Sequence, residues 1–168
     1  MNPTHTDNFH LRFANDSHGI SILPPIEIAV GDGPGSKPGT ALAFSPDGKW
    51  LAAAEQSGGV KRWDLTAPVD NPVVQKLTAK VPLRAVGLHF CGDSRRVLTA
   101  DPGGEVRAWD FEKEDSQTLF NAELDQVDGF AISVDESRIA LGGNANSAVL
   151  IYDVESAELI NTLDVRKR

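Results

Sequence analysis

Three sets of residues in this chain have side chains that could do chemistry. His5, His10, His18 and His89 could ligate a metal or carry a proton. Zinc sites use ligands at short fixed spacings, commonly with cysteines among them. The four histidines have no such spacing, and Cys91 is the single cysteine. Three of them fall in an irregular N-terminal part, and His89 sits in a β-type run, where a half-buried structural role is expected. The run "FEKEDS", residues 111–116, gathers three carboxylates that could in principle act as acid and base. Nothing near it in sequence supplies an apolar pocket to raise a carboxyl pKa, so a solvated loop between outer strands is expected. "GDGPGSKPGT", residues 31–40, offers glycine amides and a lysine to an anion. The phosphate loop needs Gly-Lys followed at once by Ser or Thr opening a helix. Here Lys37 follows Ser36 and precedes Pro38, so the stretch reads as a linker. A Gly-x-Ser-x-Gly elbow and a His-Glu-x-x-His helix are both absent from the sequence. No catalytic residue, metal ligand or cofactor site is therefore expected.

Composition narrows the partners. The 168 residues, 40% hydrophobic and 24% charged, fit one ordinary globular domain. A net charge of −8 opposes the phosphate contacts that dominate nucleic-acid affinity. Arg84, Arg95, Arg96 and Arg107 could form a local basic stripe, but no aromatics interleave them as a base-stacking platform needs. Nucleic acid is thus rejected as the main partner. "ISILPPIEIAV", the longest apolar-looking stretch, is too short for a membrane span and holds Glu27, Pro24 and Pro25. The first residues, "MNPTHTDNFHLRF", lack a basic start followed by an apolar core, so no signal peptide is read there. A lone cysteine gives no reason to expect an oxidising compartment, and a cytoplasmic location is expected.

The elements that would position these residues recur. "GGVKRWDL" at 58–65 returns as "GEVRAWDF" at 104–111, so that Trp109 follows Trp63 by 46 residues and Phe90 follows Phe44 by the same interval. A third copy runs through "GFAISVDESRIALGGNANSAVLIYDV". Trp63, Trp109 and Tyr152 correspond, as do Asp64, Asp110 and Asp153, and Asp47, Asp93 and Asp135. Each unit reads as four short strands: Leu42 and Phe44 alternate until "SPDG", Trp50 to Ala54 follow, then Val60 to Leu65, then "VVQKL", with turn residues between them. The matched aromatics are expected in the core between units. Trp50, matched only by arginines in the other units, is expected in an edge-packing role. "HGISIL" at 18–23 aligns with the third strand at an interval of 40, which makes "LRFA" and "IEIAV" flanking strands of an incomplete unit.

A period of 40 to 45 residues with four strands per unit resembles the WD40 repeat family, whose units are the blades of a β-propeller. "AFSPDGKWLAAAEQSGGVKRWD" carries the resemblance most specifically, which extends well over residues 40–165 and weakly over 9–39. The family's Gly-His pair is replaced by "TAKVPL" and "NAELDQV", and its tetrad aspartate by Ser57, Gly103 and Asn146, so no tetrad is complete. The resemblance implies an all-β chain: a disordered N-terminus over 1–8, then a partial propeller over 9–165. Its parts are an incomplete blade at 9–31 and blades at about 40–78, 84–121 and 127–164. With about four units, fewer than such propellers usually close with, an open arc is expected, with an apolar face bare at each end. Pairing through the end blades is expected, either self-association or with another propeller-bearing chain; tight four-bladed closure of the monomer is the alternative.

The function implied is a non-catalytic protein-interaction or scaffold module. Its docking face would be built from the loops at 55–58, 78–83, 101–104, 122–127 and 143–147. The resemblance offers Glu55, Gln56, Arg84, Asp101, Asn144 and Asn146 as binding residues. It assigns Trp63, Asp64, Trp109, Asp110, Tyr152 and Asp153 to structure. The competing readings are a propeller enzyme of the lactonase or hydrolase type, which would need carboxylates and histidine converging on the axis, and a remnant of a larger array without a separate role.

Overall fold

The computed structural model describes residues 41–55, 58–68, 73–78, 84–122, 124–143 and 148–164, and the backbone alone of 9–11 and 26–28. Among these every regular element is a strand. Two strands, β1 (Phe9–Leu11) and β2 (Ile26–Ile28), form a small antiparallel sheet. Three four-stranded antiparallel sheets follow. The first is β3 (Ala41–Phe44), β4 (Trp50–Glu55), β5 (Gly59–Asp64) and β6 (Val74–Thr78). The second is β7 (Gly87–Phe90), β8 (Arg96–Ala100), β9 (Glu105–Asp110) and β10 (Asp115–Asn121). The third is β11 (Gly129–Ile132), β12 (Arg138–Gly142), β13 (Ala148–Asp153) and β14 (Leu159–Asp164). In each sheet, neighbours in sequence are neighbours in space.

The turns explain why the chain reverses where it does. Between β3 and β4 the Gly48 amide bonds the Ser45 carbonyl at 2.9 Å, and Gly48 takes a left-handed φ of 70° that glycine adopts without strain. Asp47 Oδ1 accepts the Lys49 N–H and the Ser45 hydroxyl, fixing the turn from its own side chain. Asp93 and Asp135 do the same work in the next two sheets, accepting the amides of Arg95 and Arg96 and of Ser137. The second repeated carboxylate shapes the turn between the third and fourth strands. Asp64 accepts the Thr66 N–H, Asp110 those of Glu112 and Lys113, and Asp153 those of Glu155 and Ser156.

The sheets stack through their first strands, β3 and β4 on β7 and β7 on β11. Two cores result. Ala52 and Val60 of the first sheet meet Phe90, Val97, Trp109 and Phe111 of the second. On the second sheet's other face Leu98, Ala100 and Val106 meet Ile139, Leu141 and Tyr152 of the third, with Phe120 stacked on Tyr152 at 4.7 Å between ring centroids. The middle blade is therefore covered on both sides, and the three blades form an open arc. Gly87 lets the inner strands approach: a Cβ there would stand 2.5 Å from Phe130.

Several expectations need correction or lie elsewhere. Trp63 does not sit between two of these blades. Val60, three residues earlier, faces the second blade, so Trp63 faces away from it, buried against Leu51, Ala53 and Leu65 of its own blade. That end of the arc is consequently not bare at its centre, where Leu51, Ala53 and Trp63 are buried. The last strand, in contrast, exposes Leu159, Ile160 and Leu163. Trp50 is half-buried and packs at the first junction, as its edge position implied. β1 and β2 pair directly with each other, whereas flanking strands of a blade would each pair with a strand between them. "HGISIL", the linker at 31–39 and the terminal residues 1–8 lie outside the described residues.

Candidate interaction surface

Of the residues expected on the loop face, Glu55, Arg84 and Asp101 are described. Glu55 ends β4 but is buried, with its carboxylate 2.5 Å from Lys61 Nζ and 2.9 Å from Lys76 Nζ. Asp101 is half-buried, and its Oδ1 accepts the Glu105 N–H at 2.8 Å, closing the turn between β8 and β9. Arg84 is exposed just ahead of β7. Gln56, Asn144 and Asn146 lie outside the described residues. Of the structural group, Asp64, Asp110 and Asp153 hold turns, and Trp109 and Tyr152 fill the two junctions. Hydrogen bonds hold the exposed turn carboxylates below the usual aspartate range. The Ser45 hydroxyl does so first for Asp47 and the Thr66 hydroxyl for Asp64, while Asp135, bonded first by the Ser133 hydroxyl, is lowered to about 2.

The junctions themselves carry chemistry that the sequence reading missed. Arg62 is buried at the first junction, its guanidinium 4.1 Å from the centre of the Trp50 ring and 4.4 Å from that of Phe111. Its Nε–H donates to Gln75 Oε1 at 2.6 Å. Such a column combines cation–π attraction with coverage of the apolar stem. The available signal was that a propeller blade buries both faces, so that Lys61 and Arg62, on opposite faces of β5, must both be enclosed. At the second junction a cavity of about 410 Å³ opens, with Arg96, Ala108, Gln117 and Val154 among its walls. The turns also link the blades. Ser94 Oγ accepts the Asp47 N–H at 3.3 Å, and the Glu136 carboxylate accepts the Gly92 N–H.

Among the described residues no three of His, Cys, Asp and Glu gather to hold a metal ion. His89 Nε2 lies 4.0 Å from Glu136 Oε1. Cys91 is buried, and that burial pushes its thiol pKa up to about 12, which keeps it protonated and unreactive. No helix among the described residues is long and apolar enough to cross a membrane.

No family model matches the chain. It is 34% identical over 106 residues to the target of rapamycin complex subunit wat1 of Schizosaccharomyces pombe, a match covering 62% of this chain and 32% of that protein. Over 98 residues it is 31% identical to the protein LST8 homolog of Drosophila melanogaster, covering 55% of this chain and 28% of the relative. A WD repeat-containing protein of Deinococcus radiodurans is 41% identical over 76 residues, 45% of this chain and 27% of its own length. The chain thus matches about a third or less of each of these curated relatives. Its repeated Trp-Asp and Tyr-Asp strands, its three four-stranded blades and these likenesses support a WD40 repeat family for the chain.

Proposed function

We propose that the chain is a non-catalytic interaction module whose blades present loops to a protein partner. The observation that carries this reading is the use of the repeated carboxylates. In every blade both aspartates accept turn amides, so the acidic residues that recur shape backbone. The Schizosaccharomyces pombe relative is by name a subunit of a complex, and a place in an assembly is proposed here too. The same reading puts the chain in the cytoplasm, where Cys91 needs no disulfide partner. Arg84 and the loops at 55–58, 78–83, 101–104, 122–127 and 143–147 are its proposed docking face. The immobilised chain should capture a defined protein, identified by mass spectrometry, and Arg84→Glu combined with Gln56→Ala should weaken that capture. Equal capture by the variant, or metal-dependent lactone hydrolysis by the purified chain, would count against the proposal.

Pairing with a second copy is favoured by one specific feature: Leu159, Ile160 and Leu163 on the last strand are 50%, 47% and 48% exposed. Leu163 pairs with Val149, on the face turned away from the second blade. Sedimentation at micromolar concentration should show a dimer that Leu163→Asp dissociates. A wild-type monomer would remove this reading without touching the first.

A further inference from the structure

The two junctions of the arc are built from matched positions, and a cavity opens at each. At the first, of about 460 Å³ with Gln75 and Phe111 among its walls, it lies beside Trp50 and Arg62, whereas at the second the matching positions themselves line it. Trp63 pairs with Val74 and Trp109 with Ser116, so Arg62 opposite Gln75 corresponds to Ala108 opposite Gln117. Trp50 corresponds to Arg96, each paired with the aspartate that ends its blade's third strand. Phe111, two residues after Trp109, corresponds to Val154, two after Tyr152. At the first junction Trp50, Arg62 and Phe111 form the column over Gln75. At the second, a methyl replaces the guanidinium and an isopropyl replaces the phenyl. The cavity of about 410 Å³ stands at these positions, Arg96, Ala108, Gln117 and Val154 all lining it. That is the size of a small-ligand pocket.

The walls indicate what would fit. Leu98, Ala108 and Leu119 supply an apolar floor, while Asp110, Asp115 and Glu136 face the two cations Arg96 and Lys113. Both cations have carboxylates beside them: Arg96 Nε is 2.7 Å from Asp93, and Lys113 Nζ is 3.8 Å from Asp110. The surplus of negative charge therefore rests with Asp115 and Glu136. An apolar stem with a flat cationic head matches this set. An aromatic occupant would strip water from the carboxylates and return no hydrogen bond. An ammonium is a point charge, whereas a guanidinium can lie in a narrow gap and reach Gln117 and a carboxylate together.

We infer that the cavity between the second and third blades receives an arginine side chain of a protein partner, held where Arg62 is held at the first junction. The site is separate from the proposed loop face, so Arg84→Glu should leave it intact, and either can fail alone.

The probe is acetyl-Gly-Gly-Arg-Gly-Gly-amide, titrated into the ¹⁵N-labelled full chain beside peptides with lysine, norleucine or phenylalanine at the centre. The arginine peptide should shift the Ala108 and Val154 amides and the Gln117 side chain, at least tenfold more tightly than the other three. Gln117→Leu should weaken it at least fivefold. Ala108→Arg should abolish the shifts by filling the cavity from within. If Ala108→Arg fails to fold by circular dichroism, Asp115→Asn with Gln117→Leu takes its place. Shifts confined to other residues, equal binding of norleucine or phenylalanine, or undiminished binding by the folded variants would overturn the inference.

Discussion

The indole Nε1–H of Trp109 donates to Thr99 Oγ1 at 2.9 Å, and both side chains are buried. The bond is specific to the middle blade. Phe44 opposite Leu51, Phe90 opposite Val97 and Ile132 opposite Ile139 fix the registers, and by them Ala53 and Leu141 hold the place of Thr99 in the other blades. Neither can accept a hydrogen bond from a side chain. Among the described residues this pair is what corresponds to the polar network that the WD40 resemblance implies, and it lies in the blade that has neighbours on both faces.

Trp109→Ala should destabilise the chain by ~3–5 kcal/mol, the range for deleting a buried large aromatic. Thr99→Val should cost about 1–3 kcal/mol, because the indole N–H is left buried without an acceptor. Trp63→Ala should fall in the same range as Trp109→Ala, since Trp63 is buried as well. Urea denaturation measures all three. A change near zero for Trp109→Ala would contradict the placement of the indole at the first junction.

The strands were legible because turn chemistry punctuates them: "SPDG" and its counterparts end the first strand of each unit, and the repeated aspartates end the third. Facing was harder to read. Matched aromatics suggest matched surroundings, yet Trp109 and Tyr152 meet a preceding blade while Trp63, in the first four-stranded sheet, has Leu51, Ala53 and Leu65 of its own blade around it. Charge misled in the same way. Glu55, Lys61 and Arg62 look like surface residues in sequence, but all three are buried in the first blade, where Glu55 and Lys61 form an ion pair and Arg62 lies against ring faces at the first junction. The loops proposed for docking have no periodicity to constrain them, so the sequence pattern does not single out residues within them.

Acid should loosen the turns before it affects the core. Asp47, Asp64, Asp135 and Asp153 are all lowered, Asp153 chiefly by the Ser156 N–H. Groups with depressed folded values contribute stability that is fully present above the unfolded value, about 3.9, and lost as pH falls through the folded one. For Asp135 that window runs down to about 2. Thermal melting followed from pH 5 to pH 2 should show a falling midpoint, less steep in Asp135→Asn. An unchanged slope in the variant would show that its hydrogen bonds to Ser133 and Ser137 do not contribute.

Cys91 should resist alkylation in the native state. It is 3% exposed, and its pKa of about 12 leaves almost no thiolate at pH 8. Because it is the single cysteine, mass spectrometry reads the outcome directly. Iodoacetamide should modify the native chain slowly and the urea-unfolded chain quickly. Rapid labelling under native conditions would mean that the second junction opens.

Two glycines should respond to alanine for different reasons. At Gly48 the added methyl meets nothing within 4 Å, but φ is +70°, so Gly48→Ala should cost about 1 kcal/mol through backbone conformation alone. At Gly87 the methyl would stand 2.5 Å from the Cβ of Phe130, on the neighbouring blade. Overpacking of this kind costs about 1–3 kcal/mol, since the inner strands of the second and third blades must separate. A double-mutant cycle distinguishes the causes. Phe130→Gly removes both the obstructing Cβ and the ring, so Gly87→Ala should be less damaging in that background than in the wild type, whereas Gly48→Ala should cost the same in both. Additivity at Gly87 would mean that the close approach of β7 to β11 does not limit the stacking of the blades.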